Sequence, residues 1–240
     1  MSNASCYPVV ILAGGLATRL RPITEKIPKA LIDINGEPFI IHQLRLLEKQ
    51  GINSIIFCLG YLGEMIVDVV NQYAQNKFNI SYCFDGPSLL GTAGAIKNAL
   101  PQIPGDSFFV LYGDSYLPCD FDIVQRTYMA SKKTALMTVF QNEGKWDSSN
   151  VEFDGAHILA YNKIKKTPRM HHIDYGLGIF NKKAFATVPA NEPYDLAMLY
   201  QALLAQDQLA ACLIQQRFYE VGSLAGIDEL SYYLRQQSPI

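Results

Sequence analysis

Between Leu12 and Phe39 the chain reads LAGGLATRLRPITEKIPKALIDINGEPF. An apolar run, Val9-Val10-Ile11-Leu12, leads into adjacent glycines at 14 and 15. Arg19, Arg21, Lys26 and Lys29 then follow, with only Glu25 against them until Asp33. Glycine lets the backbone approach a ligand closely and take positive φ, so successive N–H groups can face an anion. Arginine can fork onto phosphate oxygens, and lysine supplies a point charge. The stretch thus has the means to hold phosphate. A solvated basic loop between core elements would have the same composition, so composition alone does not decide. Neither G-x-G-x-x-G nor GK[ST] occurs here, which excludes the dinucleotide fingerprint and the P-loop.

Two later stretches carry chemistry of their own. Leu90-Gly91-Thr92-Ala93-Gly94-Ala95 is a glycine-rich helix start. Leu111-Tyr112-Gly113-Asp114 ends a hydrophobic run on an aspartate. Magnesium takes carboxylate oxygens and keeps several waters, so one or two such side chains are enough for it. An aspartate after a strand is also a common turn or helix cap.

The elements that must position these residues are legible from periodicity. Strands are expected at Tyr7–Ala13, Ser54–Leu59, Asn79–Phe84, Ser107–Tyr112 and Thr134–Phe140. Helices are expected at Pro38–Gln50, with proline at its first position and Gly51 as its stop, and at Gly63–Tyr73. Further helices are Thr92–Leu100, capped by Thr92, and Phe121–Ser131, capped by Asp120. After residue 140 the pattern changes to sheet segments at Asn150–Phe153, Ile158–Asn162 and Asp174–Phe180. Two helices close the chain near Tyr194–Gln206 and Ser223–Arg235. Strand alternating with helix predicts an α/β fold, Rossmann-like, with a mixed, mainly parallel sheet and helices on both faces. In open sheets of this kind ligands sit beyond the carboxyl ends of the strands. The loops Gly14–Lys29, Asp85–Thr92 and Gly113–Asp120 all follow predicted strands and converge there.

With 240 residues, 49% of them apolar and 18% charged, the chain can bury a sizeable core. A net charge of -2 offers no global field for nucleic acid or an anionic membrane, so neither is an expected partner. No apolar run approaches the roughly 20 residues of a membrane span, and the N-terminus lacks a secretory pattern. Cys6, Cys58, Cys83, Cys119 and Cys212 have no paired spacing, and a reducing cytoplasm is the expected home.

Taken in order, Leu12-Ala13-Gly14-Gly15, Thr18-Arg19-Leu20, Pro22, Thr24, Pro28-Lys29 and Gly36-Pro38 resemble the motif of the sugar-1-phosphate nucleotidyltransferases, L-A-G-G-x-G-T-R-L-x-P-x-T-x-x-x-P-K with G-x-P further on. Ala17 departs from the usual glycine. The resemblance spans nearly the whole chain and is strongest over 9–39. It implies a single domain, with residues 5–140 as the nucleotide-binding half and 141–240 as the sugar-phosphate half. It also implies a reaction in which a sugar 1-phosphate attacks the α-phosphorus of a nucleoside triphosphate and pyrophosphate leaves. Positioning and charge neutralisation dominate such chemistry.

By the same resemblance, Arg19 neutralises the leaving pyrophosphate, Lys29 holds the phosphates, and Asp114 binds Mg²⁺. Leu12, Ala13, Gly14, Gly15, Gly91 and Thr92 contact the nucleotide. The second metal carboxylate is usually an aspartate in D-x-G-[ST]; here Glu220 stands in that place, in Tyr219-Glu220-Val221-Gly222-Ser223. Ser149 and Asn150 fall near the sugar, and Gly178 at a close-approach glycine. Tyr161-Asn162-Lys163 resembles an E-K pair whose lysine binds the sugar phosphate, with Asn162 replacing the glutamate. The wording of the motifs is most similar to mannose- or heptose-1-phosphate guanylyltransferases, which favours GTP and leaves UTP, CTP and dTTP open. The oligomeric state is open, a dimer being one option. Two competing readings are a cytidylyltransferase for a non-sugar phosphate such as phosphocholine, with Tyr161, Tyr175 and Trp146 as an aromatic cage, and a catalytically silent nucleotide-binding regulatory subunit.

Overall fold

A computed structural model describes residues 6–15, 20, 22–74 and 77–237. In chain order the elements are β1 Val9–Ala13, β2 Asp33–Ile34, β3 Glu37–Pro38, α1 Phe39–Lys49, β4 Ser54–Leu59, α2 Gly63–Tyr73, β5 Asn79–Phe84, α3 Gly91–Ala99, β6 Ser107–Tyr112 and β7 Ser115–Tyr116. They continue with α4 Phe121–Ser131, β8 Ala135–Gln141, β9 Val151–Phe153, β10 Ile158–Tyr161, β11 His172–Asn181, α5 Leu196–Ala205, β12 Leu209–Ile214, β13 Tyr219–Glu220 and α6 Leu224–Gln237.

The main sheet runs β10-β9-β11-β6-β1-β4-β5, with β8 on β11 and β12 on β8. Strands β6, β1, β4 and β5 are parallel neighbours, as are β8 and β12; β11 runs antiparallel to both β6 and β8. Side chains alternate across each strand, so β1 serves two cores. Val9 and Ile11 pack with Ile40 and Leu44 of α1, Ile66 of α2 and Phe121 of α4. Val10 packs on the opposite face with Ile96 of α3 and Leu199 and Tyr200 of α5. This double burial is why the central strands are apolar throughout rather than alternating. A third, smaller cluster joins Ile34 and Phe39 to Val221 and Leu230 of α6.

Asp120 caps α4 as expected, its Oδ1 accepting from the N–H groups of Asp122 at 2.9 Å and Ile123 at 3.3 Å. Gly51 stops α1 at φ 74°, in the left-handed region that suits a helix stop. Two local expectations change. Pro38 is extended rather than helical, because its pairing with Asp33 in the small β2–β3 hairpin holds it one residue before α1. Thr92 does not cap its own helix, which begins at Gly91; its Oγ1 accepts from the N–H of Leu196 at 2.6 Å and so serves the start of α5.

Strand β11 is bulged. Its register with β8 shifts between Asp174 and Gly178, and Gly176 inside the bulge sits at φ 100°. Glycine adopts that conformation without strain. The hydroxyl of Thr138 on β8 donates to the carbonyl of Leu177 across the irregularity.

Candidate active site

At the carboxyl ends of β1, β4 and β6 lies a cavity of about 240 Å³. Leu12, Ala13, Gly14 and Gly15 form one wall of it, Gly91 and Thr92 another, and Lys29 and Asp114 a third. Gly113 explains how the strand ends meet: a Cβ there would fall 2.8 Å from the Cβ of Ala13, while its N–H donates to the carbonyl of Leu12 at 2.9 Å. Only glycine permits that approach. Lys29 stands in a single 3₁₀ turn, Lys29–Leu31, entered from the extended Pro28. Its Nζ donates to Asp114 Oδ2 at 2.8 Å, and Ser115 Oγ donates to Asp114 Oδ1 at 3.3 Å. Arg19 lies outside the described residues.

Tyr112 also lines the cavity, and Lys163, from the other half of the chain, has its Nζ 5.5 Å from the Tyr112 ring centroid. Lys163 is exposed; the desolvation that its neighbours impose works against its charge, but the Tyr112 hydroxyl and the field of the Asp174 and Asp195 carboxyl groups outweigh it and raise its pKa. The other acceptor-half candidates are placed differently. Ser149 Oγ accepts from Asn142 Nδ2 and the N–H of Gly144, both at 3.1 Å, and so fastens the loop it belongs to. Asn150 is buried, its Oδ1 accepting from the Asp174 N–H at 2.9 Å. What comes close to Gly178 is the hydroxyl of Tyr200, which would clash with an added Cβ.

Glu220 is brought beside Asp114 through the backbone. Strand β13 pairs with β7, matching Glu220 to Ser115, and the N–H of Val221 donates to the Asp114 carbonyl at 2.9 Å. Glu220 itself lines a second cavity of about 300 Å³, with Trp146, Asp147 and Arg217. There the Arg217 guanidinium lies 3.4 Å from the Trp146 ring centroid and 4.7 Å from that of Tyr219.

The sequence profile of the nucleotidyl transferase family matches residues 8–237. The chain belongs to that family. It is a nucleotidyltransferase, and its relatives agree. It is 28% identical over 216 residues to the D-glycero-alpha-D-manno-heptose 1-phosphate guanylyltransferase of Campylobacter jejuni, covering 89% of this chain and 93% of that one. It is 27% identical over 232 residues to the N-acetylmuramate alpha-1-phosphate uridylyltransferase of Neisseria meningitidis, covering 92% and 95%. The matching mannose-1-phosphate guanylyltransferase catalytic subunit beta of Xenopus tropicalis is longer, and this chain spans 66% of it. Among solved structures, HddC from Yersinia pseudotuberculosis complexed with GMP-PN superposes with a TM-score of 0.77 at 26% identity, covering 95% of this chain and 99% of that one.

Enzymes of this nucleotidyltransferase family generally use a divalent metal. The donor set here fits one at Asp114: a partly exposed carboxylate at the cavity wall, with no group of three or more His, Cys, Asp or Glu among the described residues to complete a protein cage. A metal held there would take its remaining ligands from water and phosphate oxygens.

Sequence reasoning passed over several residues of the site. Asp85 lines the first cavity; burial raises its carboxyl pKa, opposed by the Leu90 N–H that it accepts at 3.1 Å. The Tyr112 ring centroid lies 5.5 Å from Lys163 Nζ. Tyr112 ends a strand that reads as plain core, and Asp195, inside the helix expected near Tyr194–Gln206, instead caps it, accepting from the Ala197 N–H at 2.7 Å. The histidines have separate places: His42 Nε2 is 2.9 Å from the Ile34 carbonyl oxygen, His171 pairs with Glu143 at 3.2 Å, and His172 packs edge-on against Phe153.

Proposed function

We propose that this nucleotidyltransferase joins a nucleoside triphosphate and a sugar 1-phosphate, an oxygen of the acceptor phosphate attacking the α-phosphorus as pyrophosphate leaves and an NDP-sugar forms. The observation that carries the reading is one cavity lined by Gly14, Gly15, Lys29, Asp114 and Tyr112, with Lys163 Nζ 5.5 Å from the Tyr112 ring centroid. The glycine backbone and Leu12, Ala13, Gly91 and Thr92 receive the nucleotide. Lys29 and Arg19 offset the charge of the phosphates, Arg19 on the leaving pyrophosphate. Lys163 binds the acceptor phosphate, with Ser149, Asn150 and Gly178 shaping the sugar side.

Mg²⁺ is the metal we assign to Asp114, and when bound it neutralises charge on the phosphate oxygens. The Lys29–Asp114 pair keeps both groups oriented before substrate arrives. Glu220, one strand pair away, is the second carboxylate we assign to the metal. The guanylyltransferase relatives favour GTP, with a mannose or heptose 1-phosphate as acceptor. No helix among the described residues is long and apolar enough to cross a membrane, and all five cysteines are free thiols. The free thiols support a reducing cytoplasm as the setting.

The two competing readings lose support. Tyr161 packs on Tyr200, Tyr175 packs on Phe140 and Phe218 in the core, and Trp146 stacks on Arg217 in the second cavity, so the three rings form no common cage for a quaternary ammonium. A silent subunit has no need of a paired Lys29 and Asp114 at the wall of one cavity. Pyrophosphate release measured for each of the four nucleoside triphosphates against a panel of sugar 1-phosphates tests the proposal. Release that requires both substrates is expected; no release from any pair would refute it.

A further inference from the structure

We propose that Arg217 is a positioning residue: its guanidinium clamps the strand that carries Glu220 to the loop between β8 and β9, and so fixes the second metal carboxylate. The inference rests on the reading of Glu220 as a metal ligand.

Strand β13 has two residues, Tyr219 and Glu220, paired with Tyr116 and Ser115 of β7. A two-stranded ladder so short is marginal by itself. Arg217 stands just ahead of it, in the connection from β12. Its guanidinium carbon lies 3.4 Å from the Trp146 ring centroid and 4.7 Å from that of Tyr219, and its Nη2 donates to Glu229 of α6. One side chain thus touches loop, strand and helix. Arg217 Nε is buried and has no hydrogen-bond partner among the described residues. The two rings and the ion pair therefore set where the guanidinium lies. A planar cation suits that place, because it can stack on an aromatic face as an ammonium cannot.

The loop is fit to be the fixed end of the clamp. Asn142 is buried, and its Nδ2 donates to the Asp147 carbonyl at 2.6 Å and to Ser149 Oγ at 3.1 Å. The N–H groups of Asn142 and Glu143 donate to the His171 carbonyl at 3.0 and 2.9 Å. The loop is thus tied down independently of Arg217. On the strand side, the Tyr219 ring stacks on Tyr233 of α6 with centroids 4.5 Å apart. Trp146, Arg217, Tyr219, Glu220 and Glu229 line one cavity.

Charge alone would give Arg217 the opposite effect. A cation in the cavity that Glu220 lines opposes a divalent ion there. Its benefit to a metal is orientation, and variants that keep the charge isolate it. Arg217→Lys keeps the cation and loses the planar stack. Trp146→Ala removes the ring from a partly exposed loop position and leaves every charge in place.

The probe is Mn²⁺ alone, which takes the same oxygen ligands as Mg²⁺, read from the electron paramagnetic resonance of the free ion in the full chain without substrate. Its binding should weaken about fivefold in each variant, within the scale of one cation–π contact, and no further in the double variant. On a Glu220→Gln background neither change should weaken it again. Parent-like affinity in both single variants, or a full additional loss on the Glu220→Gln background, would overturn the proposal. Trp146 is the one tryptophan of the chain, so its fluorescence reports the clamp directly. Acrylamide should quench it more strongly in Arg217→Lys than in the parent protein; equal quenching would overturn the proposal. A parent that binds no Mn²⁺, or a Glu220→Gln variant that binds it as well as the parent, would count against the metal reading, and the quenching would still decide the clamp.

Discussion

Lys29 Nζ lies 2.8 Å from Asp114 Oδ2, an ion pair that spans 85 residues of chain and joins the first basic loop to the end of β6. Each side chain is partly buried at the wall of the same cavity. The pair pre-sets a cation and a carboxylate at the spacing of one hydrogen bond, which is the arrangement that metal and phosphate together would take over.

Removing the cation should therefore be felt in turnover. Lys29→Ala is expected to lower kcat by on the order of a hundredfold, the usual scale for one preorganised electrostatic contact. Pyrophosphate release under saturating substrates measures it, and a thermal melt should stay close to that of the parent protein.

Asp114→Asn keeps the shape and removes the charge. Turnover should fall by orders of magnitude while the fold persists, and added Mg²⁺ should not restore it. Near-normal turnover would remove Asp114 from the metal role. Glu220→Gln should have a smaller effect, measured as a higher Mg²⁺ requirement.

Gly178→Ala tests packing rather than chemistry. The new methyl would clash with the Tyr200 hydroxyl and lie 3.3 Å from the Leu136 carbonyl. A loss of about 1–3 kcal/mol in denaturant unfolding is expected for overpacking of this kind. Adding Tyr200→Phe removes the nearest atom and should return part of the loss.

Stability should also depend on pH through His172. Burial, opposed by Glu143 and assisted by His171, holds its pKa below the usual histidine value, and its Nδ1 is buried without a hydrogen-bond partner. The unfolded chain therefore binds a proton that the folded one resists, and this contribution to stability is lost as pH falls below about 6.5. Melting temperatures between about pH 5 and 7 should slope less steeply in His172→Gln than in the parent.

Much of this was legible because local chemistry and global position agree. Ser54–Leu59 and Ser107–Tyr112 follow the sequence pattern residue for residue, since strands buried on both faces are written as apolar runs; the edge strand Asn79–Phe84 does so too, its isoleucine, tyrosine and phenylalanine being strand formers. Gly14, Gly15 and Lys29 follow β1, Gly91 follows β5 and Asp114 follows β6, and all of them line one cavity. Strand β12 was not legible. Leu-Ala-Ala-Cys-Leu-Ile follows a helix closely, and its alanines are poor strand formers, so its pairing with β8 decides its state. The two-residue strands β7 and β13 are too short for any period, although their pairing is what carries Glu220 to Asp114. Asn150 shows a different limit. A polar residue beside a sugar site reads as a ligand, and the sequence does not show that its side chain is also buried, with Oδ1 accepting from the Asp174 N–H. Its partner lies on a strand twenty-four positions away, and nothing local announces it.

The central claim is that one cavity at the strand ends holds the triphosphate for attack by a phosphate bound at Lys163. A crystal structure with a non-hydrolysable nucleoside triphosphate and Mg²⁺ tests it most directly. The account predicts phosphate oxygens on the Gly14–Gly15 backbone and Lys29, with the metal on Asp114. Nucleotide bound elsewhere, with the Lys29–Asp114 pair undisturbed, would contradict it.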